Sequence, residues 1–305
     1  MDLTNIKGQI WFDGDWIDWS EAKVHVLTHT LHYGVGVFEG VRAYSSDQGP
    51  SIFRLNDHTD RLFLSAKTVN LPMSFSREDF NKAQVDVINK NNLSEAYIRP
   101  MCFFGSEGMG LRADNLKVHS IVAAWEWPSY MSPEAAEQGI KVKISSYKRQ
   151  VRNPVSSAKV NGNYVNSIVA LNEVLNQGYD EALMLDQEGF IAEGSGENFF
   201  LVKDGVLHTP DLDACLNGIT RDSIIEIAKR LGIKTVVRKI LPEEINSIEE
   251  AFFTGTAAEV VPIKSIDAIN IGSGKRGPIT ETLQKTYHEQ VRGMRSEFKE
   301  WHTFV

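Results

Sequence analysis

Cysteine is nearly absent, with only Cys102 and Cys215 among 305 residues. Two such distant thiols form no disulfide framework, and no Cys-x-x-Cys pair is available for zinc or redox work. A reducing compartment is therefore expected. No run of about 18 apolar residues occurs, so no membrane-spanning helix is expected. Residues 1–7 lack the basic and apolar regions of a signal peptide, and a cytoplasmic location follows as the expectation. Positive charge is also scarce: 32 Lys and Arg against 40 Asp and Glu leave a net charge of −8, with no basic block. That excludes a nucleic-acid footprint and a polybasic membrane anchor. Internal repeats and low-complexity tracts are missing too. What remains is ordinary for a globular chain, 42% hydrophobic and 24% charged. A chain this long, suited to one large or two ordinary domains, needs no metal or disulfide staple.

The pattern in the first half alternates strands with two helices. Asp13-Gly14 between residues 10–12 and 16–17 signals a hairpin. Strands are expected at 37–44, 51–54, 96–104 and 118–127. A helix fits 57–69, and Ser76-Arg77-Glu78-Asp79 resembles a capping box that opens another. Around 128–133 prolines break the pattern. Two domains are expected: a small one at 1–127, a linker at 128–136, and a larger one at 137–305. In the second, strands are expected at 140–145, 181–185, 198–202, 235–240, 251–253 and 260–263. Helices are expected at 164–175, 221–231 and from Pro278 onward. Strands and helices mix without strict alternation, which favours an α+β fold.

Three tempting motifs fail. Gly272-Ser273-Gly274-Lys275 resembles a phosphate loop, but Ile269 stands where its first glycine belongs and Arg276 replaces Ser or Thr. The run from Gly34 to Gly40 is one residue too long for a dinucleotide fingerprint. His25, His29 and His32 could meet on a helix, yet Val24, Val26 and Leu27 interleave with them and no acidic pair completes a metal site. No metal is expected.

The informative stretch is 153–172, where Lys159 is the only charged side chain. A lysine in small, neutral surroundings is a candidate for desolvation, which makes an amine nucleophilic toward an aldehyde. A lysine that snorkels to solvent is the commoner case. Glu193 lies among small residues at a strand end, after Ile191 and Ala192. A carboxylate so placed could keep the ring nitrogen of pyridoxal phosphate protonated. That cofactor's phosphate wants backbone N–H groups at a helix start. Gly218-Ile219-Thr220 offers one such cup, and Thr254-Gly255-Thr256-Ala257-Ala258 another.

Together these segments resemble the branched-chain aminotransferases, fold-type IV pyridoxal-phosphate enzymes. The resemblance runs through Lys23-Val24-His25-Val26, His32-Tyr33-Gly34, Val37-Phe38-Glu39-Gly40-Val41-Arg42, Tyr97-Ile98-Arg99-Pro100 and Gly108-Met109-Gly110. It continues through Lys159, Gly162-Asn163-Tyr164, Glu193 to Asn198, Gly218 to Arg221, and Gly255 to Glu259. Asn217 stands where proline is expected, and Thr254 where serine is usual. The implied fold is the two-domain D-amino acid aminotransferase type.

The resemblance implies roles residue by residue. Lys159 would bind the cofactor's aldehyde and carry the proton at the substrate Cα. Glu193 would pair with the ring nitrogen and Tyr164 with the phenolic oxygen. Arg61, Ile219, Thr220 and Thr256 would hold the phosphate. Tyr33, Phe38, Trp127 and Tyr130 would form an apolar substrate cage, with Tyr97 and Arg99 as its polar exit and Thr256 and Ala257 beside it. The implied reaction passes the amino group of L-leucine, L-isoleucine or L-valine to 2-oxoglutarate, in a homodimer or a homohexamer built as a trimer of dimers. Within the same fold the alternatives are a D-amino acid or (R)-amine aminotransferase and an aminodeoxychorismate lyase. The Tyr97-x-Arg99-Pro100 strand and the chain length favour the first reading. Outside the fold, the alternative is a non-catalytic binding protein that uses the histidine cluster.

Overall fold

A computed structural model of the chain describes residues 3, 6–127 and 133–305. The chain divides into two compact units. The first comprises Met1–Pro128, Ala158–Gly162 and Gln290–Val305, and the second comprises Ser129–Ser157 and Asn163–Glu289.

In the first unit the Asp13-Gly14 turn joins β1 (Gln9–Phe12) to β2 (Asp15–Asp18), as a hairpin signal should. A short helix α1 (His29–Tyr33) follows, then β3 (Gly36–Phe38), β4 (Val41–Ser46) and β5 (Gly49–Phe53). The strand expected over 37–44 is thus interrupted at Glu39 and Gly40. Helices α2 (Leu55–Thr68) and α3 (Arg77–Lys90) precede β6 (Ala96–Phe104) and β7 (Val118–Trp125). The capping box at α3 is formed: Ser76 Oγ accepts from the Asp79 N–H, and the Asp79 carboxylate accepts from the Ser76 N–H. The sheet runs in the order C-terminal strand (His302–Phe304), β5, β4, β6, β7, β1, β2, with β3 also on β6. Its core joins Trp11, Ile52, Leu62, Phe80, Ile98 and Val122.

Two segments depart from the expected domain boundary. Val160 bridges to Val37, and the Phe38 N–H donates to the Lys159 carbonyl, so the lysine segment groups with the first unit. The C-terminal strand pairs with β5 through His302↔Phe53 and Phe304↔Ser51. Both are long-range pairings, satisfied by backbone groups about which linear pattern carries no signal.

The first described element of the second unit is α4 (Pro133–Gln138), which starts inside the span expected as linker and runs past its end. Next come β8 (Ile140–Arg149), α5 (Pro154–Ser157), α6 (Tyr164–Leu175), β9 (Glu181–Asp186), β10 (Ile191–Gly194), β11 (Asn198–Lys203) and β12 (Val206–Thr209). The chain then forms α7 (Ile219–Arg230), β13 (Thr235–Val237), β14 (Glu250–Gly255), β15 (Glu259–Ile266), β16 (Ile269–Asn270) and α8 (Pro278–Val291). β10 pairs with β9 on one side and β11 on the other, which closes β9, β8, β15, β14 and β11 into a ring. Val142, Leu183, Ile191, Phe199, Phe253 and Val261 fill its core. Among the described residues no helix is long and apolar enough to cross a membrane.

Candidate active site

In the first unit, strand β6 supplies the centre. Tyr97 and Arg99 are two residues apart and share a face of the sheet. The Arg99 guanidinium carbon lies 4.7 Å from the Phe38 ring centre, 5.4 Å from Tyr97 and 6.0 Å from Trp125. Tyr97 packs at 5.4 Å from Trp125 and 4.9 Å from Trp127. Among the described residues Arg99 Nε and the indole nitrogens of Trp125 and Trp127 are buried without a hydrogen-bond partner. Lys159 joins the group, with its Nζ 5.1 Å from the Phe38 ring centre and its backbone N–H donating to Ser65 Oγ at 3.0 Å. Tyr33 ends α1, where its ring lies against His29 and its hydroxyl accepts from the Gly110 N–H at 3.1 Å. Tyr130 lies outside the described residues.

Arg61 is on α2, and its fork closes on a partner that no motif singles out. Its Nε and Nη2 donate to Glu39 at 2.7 and 2.8 Å, and His58 Nδ1 donates to the same carboxylate at 2.8 Å. Burial alone would raise the Glu39 carboxyl. The Arg61 charge and the hydrogen bonds from Arg61 and His58 outweigh it and hold the group far below the usual carboxylate range. Burial lowers His58 below the usual imidazole value against the pull of Glu39, helped by the charges of Arg61 and Lys159. The sequence offers the parts but not their pairing: Glu39 is a lone acid in an apolar strand region, and His58 and Arg61 stand three apart on one helix face.

In the second unit Glu193 sits on β10, 6% exposed. Its Oε1 is 2.5 Å from Arg149 Nη2, and its Oε2 accepts from Asn198 Nδ2 and the Leu216 N–H, each at 3.2 Å. Cross-strand register aligns Glu193 with Asn198 and Asn198 with Thr254. Thr254 Oγ1 is buried with no hydrogen-bond partner among the described residues. Arg149 escapes the sequence pattern because the strand expected at 140–145 runs on to 149.

Ile219 and Thr220 are the first residues of α7 and both are buried. Gly218 precedes them, and a Cβ there would stand 1.8 Å from Asn198 Oδ1, so the side chain that donates to Glu193 would have to move. Thr256 and Ala257 occupy the half-buried turn between β14 and β15, and Tyr164 is the half-buried first residue of α6. The donor set fits pyridoxal phosphate. A fixed buried carboxylate can take a ring N–H, a helix N-terminus and threonines can take a phosphate, and a half-buried amine can take an aldehyde. The three histidines make only local bonds, His29 to the Gly110 carbonyl, His32 to the Val26 carbonyl and His25 to the Leu27 N–H. Among the described residues no group of three or more metal ligands is assembled.

Comparison with known proteins agrees with this chemistry. The family model for amino-transferase class IV matches residues 36–266. The branched-chain-amino-acid aminotransferase of Pseudomonas aeruginosa is 55% identical over 306 residues, covering 100% of both chains. That of Escherichia coli K12 is 45% identical over 281 residues, covering 91% of each. The crystal structure of a T.th. branched-chain amino acid aminotransferase with pyridoxamine 5'-phosphate superposes with a TM-score of 0.95 at 43% identity, covering 98% of this chain and 99% of that one. The T.th. enzyme has also been solved with N-(5'-phosphopyridoxyl)-L-glutamate and with 4-methylvaleric acid.

Proposed function

Because the chain belongs to the class IV aminotransferases, and within them to the pyridoxal-phosphate-dependent branched-chain-amino-acid aminotransferases, we propose that it passes the amino group of L-leucine, L-isoleucine or L-valine to 2-oxoglutarate. The products are the branched-chain 2-oxo acids and L-glutamate, formed in two successive half-reactions through one site. The observation that carries this reading is the Arg99 guanidinium laid against the rings of Phe38, Tyr97 and Trp125. One site must admit an aliphatic side chain and then a carboxylate. Rings supply the apolar wall, and an arginine fork at their edge supplies the counter-charge without filling the cage. The glutamate adduct and the six-carbon branched acid bound by the T.th. enzyme support the same pair of ligands.

Pyridoxal phosphate, when bound, supplies an aldehyde that accepts an amine and a ring that accepts electrons from Cα. The chain's residues do the rest. The Lys159 amine would bind the aldehyde and move the proton at Cα. Glu193 accepts the ring N–H and so keeps the ring protonated, while Tyr164 donates to the phenolic oxygen. By the family's pattern Ile219, Thr220, Thr256 and Arg61 would hold the phosphate, and Glu39 orients Arg61. Tyr33 and Trp127 extend the wall of Phe38, Tyr97 and Arg99. A cytoplasmic location is supported by two free, buried thiols, the Cys102 thiol pushed up to about 12 by burial. A homodimer or a trimer of dimers is supported by exposed apolar side chains at Val26, Leu31 and Leu111.

The test is a pair of substitutions. Lys159→Ala should lose both the visible absorbance of bound cofactor and turnover of L-leucine. Arg99→Met removes the fork and keeps much of the stem. It should weaken the L-glutamate half-reaction by about 2–5 kcal/mol, the usual effect of truncating one partner of a buried charge pair. The L-leucine half-reaction should change far less. Equal losses for both amino acids, or faster turnover of D-alanine or an (R)-amine than of L-leucine, would overturn the reading.

A further inference from the structure

Arg149 closes β8 and is nine-tenths buried, as is Glu193. Two carbonyls steer its guanidinium: Ala214 O stands 3.4 Å from Nε and Ser156 O stands 3.5 Å from Nη2. The remaining contact is the 2.5 Å ion pair to Glu193 Oε1. Oε2 of the same carboxylate takes the Asn198 side-chain amide and the Leu216 N–H. Arg221 and Cys215 also feel the charge of Glu193, and both feel that of Asp211 as well. Arg221 is held on the Pro210 carbonyl at 3.0 Å. Burial keeps the Cys215 thiol protonated, and it donates to the Ala192 carbonyl. Glu193 therefore touches one cation and two neutral donors, with Arg221, Asp211 and a neutral thiol in the same field.

A buried carboxylate without partners takes up a proton. Protonated, Glu193 would present an O–H and could not accept a ring N–H. Three donors, one of them a cation, do the opposite, stabilising the anion and lowering its basicity. We infer that Arg149 is a positioning residue for the cofactor's ring nitrogen: it holds Glu193 ionised and aimed, so that the carboxylate accepts the ring N–H without removing its proton. This rests on the reading of Glu193 as the ring nitrogen's partner.

The titration of Glu193 in the apoprotein tests the first half, read by side-chain 13C-glutamate NMR with Glu193→Gln supplying the assignment. In Arg149→Met the Glu193 carboxyl should titrate about one to three pH units higher than in the parent protein, the usual effect of an adjacent arginine. Arg149→Lys, which keeps the charge and loses the fork, should fall between. Pyridoxal-phosphate affinity of the same proteins tests the second half. Arg149→Met should weaken it at least about tenfold, the equivalent of one pH unit, and more steeply as the pH falls. Should Arg149→Met not fold, Arg149→Lys carries both readouts. An unmoved Glu193 titration overturns the inference while leaving the ring-nitrogen reading intact. A moved titration with cofactor affinity and absorbance unchanged in both Arg149→Met and Glu193→Gln overturns the ring-nitrogen reading, and the inference with it.

Discussion

Glycine at position 40 shows how closely single residues are fitted around the Tyr97 ring. A Cβ on Gly40 would lie 1.9 Å from the Tyr97 hydroxyl and 2.7 Å from Cζ. Tyr97 has little room to give way, being 7% exposed and packed between Trp125 and Trp127. Gly40→Ala should therefore displace the ring and destabilise the protein by about 1–3 kcal/mol, the usual range for overpacking. A thermal midpoint indistinguishable from the parent would show that the ring shifts freely. Adding Tyr97→Phe, which removes the clashing oxygen, should recover part of the loss. The same tight fit explains the Glu39 cluster next in sequence. A fully buried acid is tolerable only because Arg61 and His58 both donate to it.

Among the elements, the C-terminal strand does most for its size. It pairs with β5, and the residues before it are fastened by rings: Trp301 stacks on Phe298 at 3.9 Å and meets Phe53 edge-on at 5.6 Å. Arg54 lies over the indole at 4.9 Å, and the Arg54 N–H donates to the Trp301 carbonyl at 2.6 Å. Trp301 is 7% exposed, so Trp301→Ala should cost about 3–5 kcal/mol in urea unfolding, as for other buried aromatics. Hydrogen exchange should then show faster exchange of the β5 amides. Unchanged protection there would mean that the strand is an accessory to the sheet rather than part of it. In the second unit β10 has a comparable role. It is hydrogen-bonded on both edges, so Glu193 rides on the strand that closes the ring, and rigidity there is what a fixed carboxylate requires.

For the molecule as a whole, the buried charges set its response to acid. Glu39 is held below its usual value near 4.5, so its contribution to stability is complete above that pH and is lost as the pH falls toward the folded-state value. His58 is held below 6.5, so the unfolded chain binds a proton that the folded chain refuses. Its contribution is complete above about 6.5 and is lost as the pH falls, with the same sign as that of Glu39. His58 faces Glu39, Arg61 and Lys159, and the two cations reinforce its neutral form. The apoprotein's thermal midpoint should drop between about pH 7.5 and 5.5, before the carboxylates titrate. In His58→Gln, which keeps a donor for Glu39, the drop should be smaller. An equal drop would assign the effect to His208 and His302, which burial also lowers.

Much of this protein is legible without coordinates. Local chemistry dictated the Asp13-Gly14 hairpin, the Ser76 capping box and the helix at 164–175, because each is settled by neighbours within a few residues. The matching motifs likewise pointed to the family and its cofactor, and a lone charge in a neutral stretch marks Lys159 as the candidate amine. The partners were not visible. That Arg149 faces Glu193 across 44 positions, or that Glu39 takes both His58 and Arg61, depends on which strands and helices become neighbours. The same holds for Ala158–Gly162 and Gln290–Val305, whose backbone groups pair with the first unit although they lie far along the chain. Burial decides these matters: a charge or an N–H removed from water must find its complement wherever the fold brings one, and only the tertiary structure says where that is.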